Sequence, residues 1–296
     1  MARASAFARA ALAGNPSDGY GGATLAVAVC DFAAHVEARP AAEPSVAPRS
    51  ALARATVARF ERELAPGAPP AAVRVRTSIP RAVGLGGSSA IVIATVRALC
   101  ELHGLRLHPD ELASFALAVE TEDLGIAAGL QDRVAQAYEG LTFMDFRAPG
   151  GVYEPLDPAM LPPLFLAWSP QAAAPSGLTH ADLRARFERG DRVVLAAMSE
   201  LADLAREARW ALLAGDAGAF AACVDGSFDA RRRMLALDER HVAMAERARA
   251  LGASANYTGS GGAIVGCCRD EEHRAEVIAG LAQAGCCAIA PRVTPP

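Results

Sequence analysis

The spacing of apolar and polar residues changes character several times along the chain, and each change marks an element. Residues 4–13 and 23–38 carry short apolar or alternating segments on either side of the turn-like stretch GNPSDGYGG. Residues 71–78, AAVRVRTS, alternate with the period of a half-buried strand, so the first third reads as β-rich. Residues 39–50, with three prolines, read as a loop, and 51–64 as a helix. The apolar run from Ala90 to Leu102 is too long for a strand and stops near Gly104, which predicts a helix. HPDELASFALAVETEDLG predicts the next helix: Pro109 suits the first helical position, Asp110 and Glu111 favour the N-terminal dipole, and Gly125 closes it. A third helix is expected near AGLQDRVAQAYEG, with Asp132 in its first turn and Val134, Ala137 and Tyr138 on one face.

The proline- and glycine-dense stretch 147–163 predicts a domain connection and divides the chain into 1–160 and 161–296. Beyond it come a strand at LFLAW, a polar loop, two helical stretches between 181 and 250, and a strand at 263–268. No repeat of fixed period is present. The pattern alone supports a mixed α and β enzyme.

Composition narrows the classes. At 296 residues with 52% hydrophobic side chains, the chain can fill one large domain or two ordinary ones. Only 5% of residues are aromatic, so small and branched aliphatic side chains must fill the core. A net charge of -4 and the lack of a basic stripe argue against nucleic acid as a partner. No uncharged run is long enough for a membrane span. The arginine-, serine- and alanine-rich start MARASAFARAALAG has the flavour of a transit peptide, but it runs straight into a structured-looking motif and is read as part of the fold. Seven cysteines, with the adjacent pairs Cys267-Cys268 and Cys286-Cys287, fit neither a disulfide framework nor zinc-ligand spacing. A reduced, cytoplasmic setting is expected.

The densest chemistry lies in IPRAVGLGGSSAIVIATVRAL, residues 79–99, where three glycines and two serines precede a helix. Such a loop brings backbone amides close to an anion. A P-loop needs a lysine, and all 29 basic side chains here are arginine. The dinucleotide pattern G-x-G-x-x-G fails at Ser89, and the nucleophile elbow G-x-S-x-G fails at Ala90 and Ile91. A plain strand-to-helix turn with serine capping is the bland alternative.

Three segments together resemble the GHMP kinase superfamily, named for galactokinase, homoserine kinase, mevalonate kinase and phosphomevalonate kinase. They are RAALAGNPSDGYGG at 9–22, PRAVGLGGSSA at 80–90 and GASANYTGSGGAIVG at 252–266, and they span almost the whole chain. GNPSDGYGG, IPRAVGLGGSSAIV, LGIAAGLQDRVAQAYEG and SGLTHADLRARFERGD narrow the resemblance to the glucuronokinase branch. One departure stands at Leu178, where the pattern usually carries a lysine after the Ser-Gly pair. The resemblance implies an α+β fold, with an N-terminal ribosomal-protein-S5-like domain, a C-terminal ferredoxin-like domain and the active site between them.

It also implies roles. The loop Pro80, Gly84, Leu85, Gly86, Gly87, Ser88, Ser89 and Ala90 would wrap the phosphates of ATP through backbone amides and a helix dipole in place of a lysine. Ser89, rather than Ser88, and Glu120, with Glu122 as its alternative, would serve Mg2+, which takes hard oxygen ligands and keeps several waters. Asp132 would orient the attacking hydroxyl or accept its proton, and Arg9, which stays charged, would hold Asp132 ionised. Asn15, Asp18, Gly259, Ser260, Gly261 and Gly262 would face the sugar. A uronic acid needs an arginine for its carboxylate, and the candidates are Arg133, Arg81 and the triplet Arg231 to Arg233. As isolated residues, each has an ordinary reading as a turn, a cap or a solvated charge. The expected reaction is ATP-dependent phosphorylation of a sugar at C1, with glucuronate as substrate. Rival readings are a kinase of the same family acting on another sugar or a mevalonate-type alcohol, a non-catalytic sensor, and a dinucleotide-binding oxidoreductase.

Overall fold

In a computed structural model, the structure describes residues 1–170 and 177–293. The hairpin of β1 (Ala2–Ala13) and β2 (Ala23–Pro40) is its spine, paired antiparallel from Ala2 with Ala38 to Ala13 with Leu25. Every residue from Ala8 to Ala13 is buried, so both faces of β1 are covered there. Alanine makes this possible, because a side chain of one carbon lets helices approach the sheet closely while leaving no void.

On the other edge of β2, its C-terminal half pairs with β4 (Ala71–Thr77) and its N-terminal half with β5 (Leu141–Asp145). The short β3 (Ser45–Ala47) runs parallel to β4, and β6 (Val152–Leu156) runs antiparallel to β5. Both short strands lie where the pattern predicts loop. Each is an outer strand, and Pro155 in β6 sits opposite Thr142, a position an edge strand tolerates.

Helices α1 (Ala51–Glu63), α2 (Gly87–His103), α3 (Pro109–Ala118) and α4 (Gln131–Tyr138) stand where they are expected. The Glu111 carboxylate accepts from the His108 amide at 2.7 Å and closes the start of α3. One turn of π-helix, Val119–Asp123, follows α3. Helix α2 packs on β1 and β2, and α4 on β1, β2 and β5.

The second half builds a four-stranded sheet from β7 (Leu164–Trp168), β8 (Asn256–Tyr257), β9 (Ala263–Cys267) and β10 (Cys287–Ile289), in the order β10-β7-β9-β8. Between 177 and 250, four helices replace the two expected stretches: α5 (Gly177–Glu188), α6 (Arg192–Ala214), α7 (Ala217–Met234) and α8 (Glu239–Ala250). Asp191, Asp216 and Asp238 cap the last three through amides of the following turn, which is where the periodicity breaks. Helix α9 (Glu271–Gln283) completes this half.

The passage from the first sheet to the second runs through the turn at Pro158–Met160, within the proline-rich stretch. Alternation in β7 and β9 serves two cores: Leu166 and Val265 belong to the large core that also holds β1, β2 and α2, while Phe165 and Ile264 pack with Phe228, Met244 and Tyr257. All seven cysteines are free thiols. Among the described residues, no helix is long and apolar enough to cross a membrane.

Candidate active site

Four chain segments meet along the seam of the two sheets and line a cleft of about 1240 Å3. They are the turn after β1, the loop leading into α2, the loop leading into α4, and the turn between β8 and β9.

Arg9 ties the last three of these together. It lies in the middle of β1 and is 4% exposed. Its Nε and Nη2 donate to the two oxygens of Asp132 at 2.6 and 2.7 Å, and its Nη1 donates to the carbonyls of Gly84 and Thr258 at 2.7 and 2.6 Å. A guanidinium fork on a carboxylate fork fixes the plane of Asp132 as well as its position. Asp132, in the first turn of α4, keeps 24% of its side chain exposed, so it is held but reachable. One turn later Gln136 donates to the carbonyls of Phe7 and Gly86, both at 2.9 Å, and pins α4 to β1 and the glycine loop.

The glycines are required by backbone contact. A Cβ on Gly84 would lie 2.9 Å from the Gly261 carbonyl oxygen, and one on Gly259 would lie 2.5 Å from that of Gly84. The two glycine turns therefore touch main chain to main chain. Gly86, with φ of 72°, starts α2 without a side-chain cap, and the first intrahelical bond is from the Ala90 amide to the Gly86 carbonyl. The preceding amides of Gly87, Ser88 and Ser89 have no intrahelical acceptor, and all three residues line the cleft. An anion placed there meets those N–H groups and the positive end of a 17-residue helix.

Pro80, Leu85 and Ser260 also line the cleft. Ala90 does not: its amide is committed to the helix and its side chain is buried. Gly261 and Gly262 stand behind the lining, Gly261 against His241 and Tyr257, and Gly262 accepting from the Ser169 amide at 3.0 Å. Ser89 is buried and its hydroxyl donates to the Gly86 carbonyl at 3.1 Å, whereas Ser88 is exposed.

The two acidic alternatives separate cleanly. Glu120 is 1% exposed in the cleft wall, and Arg133 donates to its Oε2 through Nε at 2.7 Å and through Nη2. Burial pushes the Glu120 carboxyl up, against the pull of Arg133. Glu122 lies outside the cleft and pairs with Arg59 at 2.7 Å. Arg133 is thus occupied, since its Nη1 also donates to the Gly129 carbonyl at 2.8 Å, and it does not stand free for a sugar carboxylate.

Asn15 is buried and its amide is engaged with the Tyr257 carbonyl and the Asn256 side chain. Asp18 is half-buried beside Asp132 and accepts from the Gln131 amide at 3.3 Å. Burial first, and the neighbouring Asp132 second, push its carboxyl up to about 6.

Sequence reasoning left out Tyr20, Arg184 and Glu188, which line the cleft from the first turn and from α5. Arg184 donates to the Gly19 carbonyl at 3.3 Å and lies over the Tyr20 ring. Only the resemblance of the segment 176–191 could have pointed to it. Ser176 lies outside the described residues, as does the side chain of Leu178. The arginine triplet divides: Arg232 and Arg233 are exposed and paired with Glu246 and Glu200, whereas Arg231 is buried and faces the cleft.

The GHMP kinases N terminal domain model matches residues 51–140. Glucuronokinase 1 of Arabidopsis thaliana is 34% identical over 304 residues, covering 88% of this chain and 83% of that protein. In fold, the chain is similar to Streptococcus pneumoniae phosphomevalonate kinase in complex with phosphomevalonate and AMPPNP (TM-score 0.84, 15% identity, covering 99% and 100% of the two chains). It is also similar to Lactococcus lactis galactokinase complexed with galactose (TM-score 0.83, 14% identity, covering 98% and 93%). With an aspartate forked by a buried arginine beside a glycine-started helix, and with likeness to a kinase along most of its length, the chain belongs to the GHMP kinase family of small-molecule phosphotransferases.

Proposed function

We propose that this protein is an ATP- and magnesium-dependent sugar 1-kinase that converts D-glucuronate to glucuronate 1-phosphate. The observation that carries the reading is the Arg9–Asp132 fork, held next to the open amides of α2 in one cleft. The likeness to a glucuronokinase over 88% of the chain supports the choice of sugar.

The anomeric hydroxyl lies against the Asp132 carboxylate, which orients it and accepts its proton as the oxygen attacks the terminal phosphorus of ATP. The bond from that phosphorus to the ADP oxygen breaks, giving sugar 1-phosphate and ADP, and Asp132 returns the proton to solvent. Arg9 cannot carry a proton, so it keeps Asp132 ionised and in plane. The amides of Gly87, Ser88 and Ser89 stabilise charge on the phosphate oxygens. Glu120 and Ser89 suit magnesium: they offer hard oxygens, and both Arg133 donors sit on Oε2, leaving Glu120 Oε1 without a donor from Arg133. Glu120 and Ser89 would hold the ion, which would supply neutralisation of phosphate charge.

The test is ADP release with magnesium and ATP against glucuronate, galacturonate, galactose, glucose, arabinose and mevalonate. Turnover of glucuronate above the others is expected. Preference for another member keeps the kinase and removes glucuronate, and ATP binding without turnover of any would favour a sensor.

A further inference from the structure

Four arginines are buried, and three of them face a carboxylate: Arg9 faces Asp132, Arg59 faces Glu122 and Asp123, and Arg133 faces Glu120. Arg231 faces none among the described residues. It projects from α7 and lines the cleft at 3% exposure, its Nη2 donating to the Gly259 carbonyl at 2.7 Å and its Nη1 to the Asn15 carbonyl at 3.4 Å. Its Nε has no acceptor among the described residues, and its guanidinium carbon lies 5.3 Å from the centre of the Tyr257 ring. A buried guanidinium without a counter-ion is costly to the folded protein, and an anionic ligand relieves that cost. Burial pulls its pKa down to about 10, which still leaves it charged at neutral pH.

We propose that Arg231 receives the carboxylate of the sugar and is the residue that selects a uronic acid over an uncharged sugar. This assignment rests on the sugar-kinase reading above. Position supports it. Gly259 is wedged between two arginines: a Cβ there would lie 2.8 Å from Arg9 Nη2, and its carbonyl accepts from Arg231. Arg231 therefore stands one peptide away from the arginine that holds Asp132, so the two ends of a single sugar can meet both groups. The other candidates are committed to glutamates or stand exposed to solvent. Arg133 is bound to Glu120, Arg81 and Arg184 are exposed, and Arg232 and Arg233 pair with surface glutamates. Asp18 is the acidic group that acts on Arg231 from the cleft, yet the two form no ion pair among the described residues.

The experiment compares wild type, Arg231→Gln and Arg231→Lys, with thermal unfolding recorded for each. It reads kcat/KM for glucuronate and the Ki of glucuronamide, the uncharged isostere. Arg231→Gln should lose about 100-fold in kcat/KM for glucuronate, mostly through KM, while the Ki of glucuronamide moves less than about threefold. Arg231→Lys keeps a buried cation and should lose roughly 10-fold by giving up the fork. Equal losses for the acid and the amide in folded variants would overturn the assignment alone, as would undiminished glucuronate turnover. A wild-type enzyme that prefers a neutral sugar or a mevalonate-type alcohol would overturn both this assignment and the reading on which it rests.

Discussion

Two arginine–carboxylate pairs stand side by side in the cleft wall and differ in which member is hidden. In Arg9–Asp132 the arginine is 5% exposed by side chain and the acid 24%, and both carboxylate oxygens are gripped. In Arg133–Glu120 both are sealed, at 6% and 1%, and both N–H groups fall on one oxygen. On the proposed reading, the first arrangement presents an oriented anion to a hydroxyl. The second sets Arg133 against the upward push of burial on Glu120 and, on the proposed reading, leaves one oxygen for a hard cation. Since Arg133 Nη1 also lies 3.9 Å from Asp132 Oδ2, the pairs share one field, and they can be separated only by substituting each in turn.

The largest effect is expected at Asp132. Asp132→Asn should lower kcat by about 10³-fold while sugar KM changes little, because proton acceptance is lost and the shape is kept. Steady-state kinetics with calorimetric sugar binding would check this, and a loss confined to KM would move Asp132 out of the chemical step. Next comes Arg9→Lys, which keeps the charge but cannot reach two carboxylate oxygens and two carbonyls together. It should cost about 10²-fold in kcat and lower the melting temperature, because the Gly84 and Thr258 carbonyls lose a donor.

Glu120→Gln should raise the magnesium concentration for half-maximal rate about 10-fold or more. It should also destabilise the fold by about 3–5 kcal/mol in urea, since Arg133 would be left buried without its anion. Glu122→Gln, whose carboxylate is 65% exposed, is the control and should cost under about 1 kcal/mol. An equal magnesium shift in both variants would remove Glu120 as the ligand.

The smallest effect concerns Asp18. Its folded pKa, near 6, lies above the ordinary value of 3.8, so the folded state binds the extra proton. Folding stability should therefore fall as pH rises from about 4 to about 6 and then level off. Sugar KM should rise as pH drops below about 6, where Asp18 loses the charge that accepts from hydroxyls. Asp18→Asn should melt higher than wild type at pH 7.5 and show no such step in KM.

The helices and the long strands were legible because their periodicity is local. Strands β3 and β6 were not, since three to five residues holding or flanked by proline become strands only when a distant partner supplies the ladder. The four helices between 177 and 250 looked like two because Gly190-Asp191 and Gly215-Asp216 are stop-and-cap pairs that hardly interrupt an alanine-rich run. Within the site, motif residues were readable one at a time, but their partners were not. Nothing near Arg133 in the chain says that it belongs to Glu120, and nothing in the run Arg231 to Arg233 says that only the first turns inward.

The reach of Arg9 has a further consequence, for the order in which the protein assembles. Strands β1 and β2 are joined by a nine-residue turn, 14–22, and can zip together early, whereas Arg9 is fixed by groups 75, 123 and 249 positions away in the chain. Closing loops of that length is slow and entropically costly. The full set of Arg9 contacts, which needs the Thr258 carbonyl, is therefore among the last that a growing chain can complete. A ribosome that has not yet released the segment around Thr258 carries a folded hairpin but no competent enzyme.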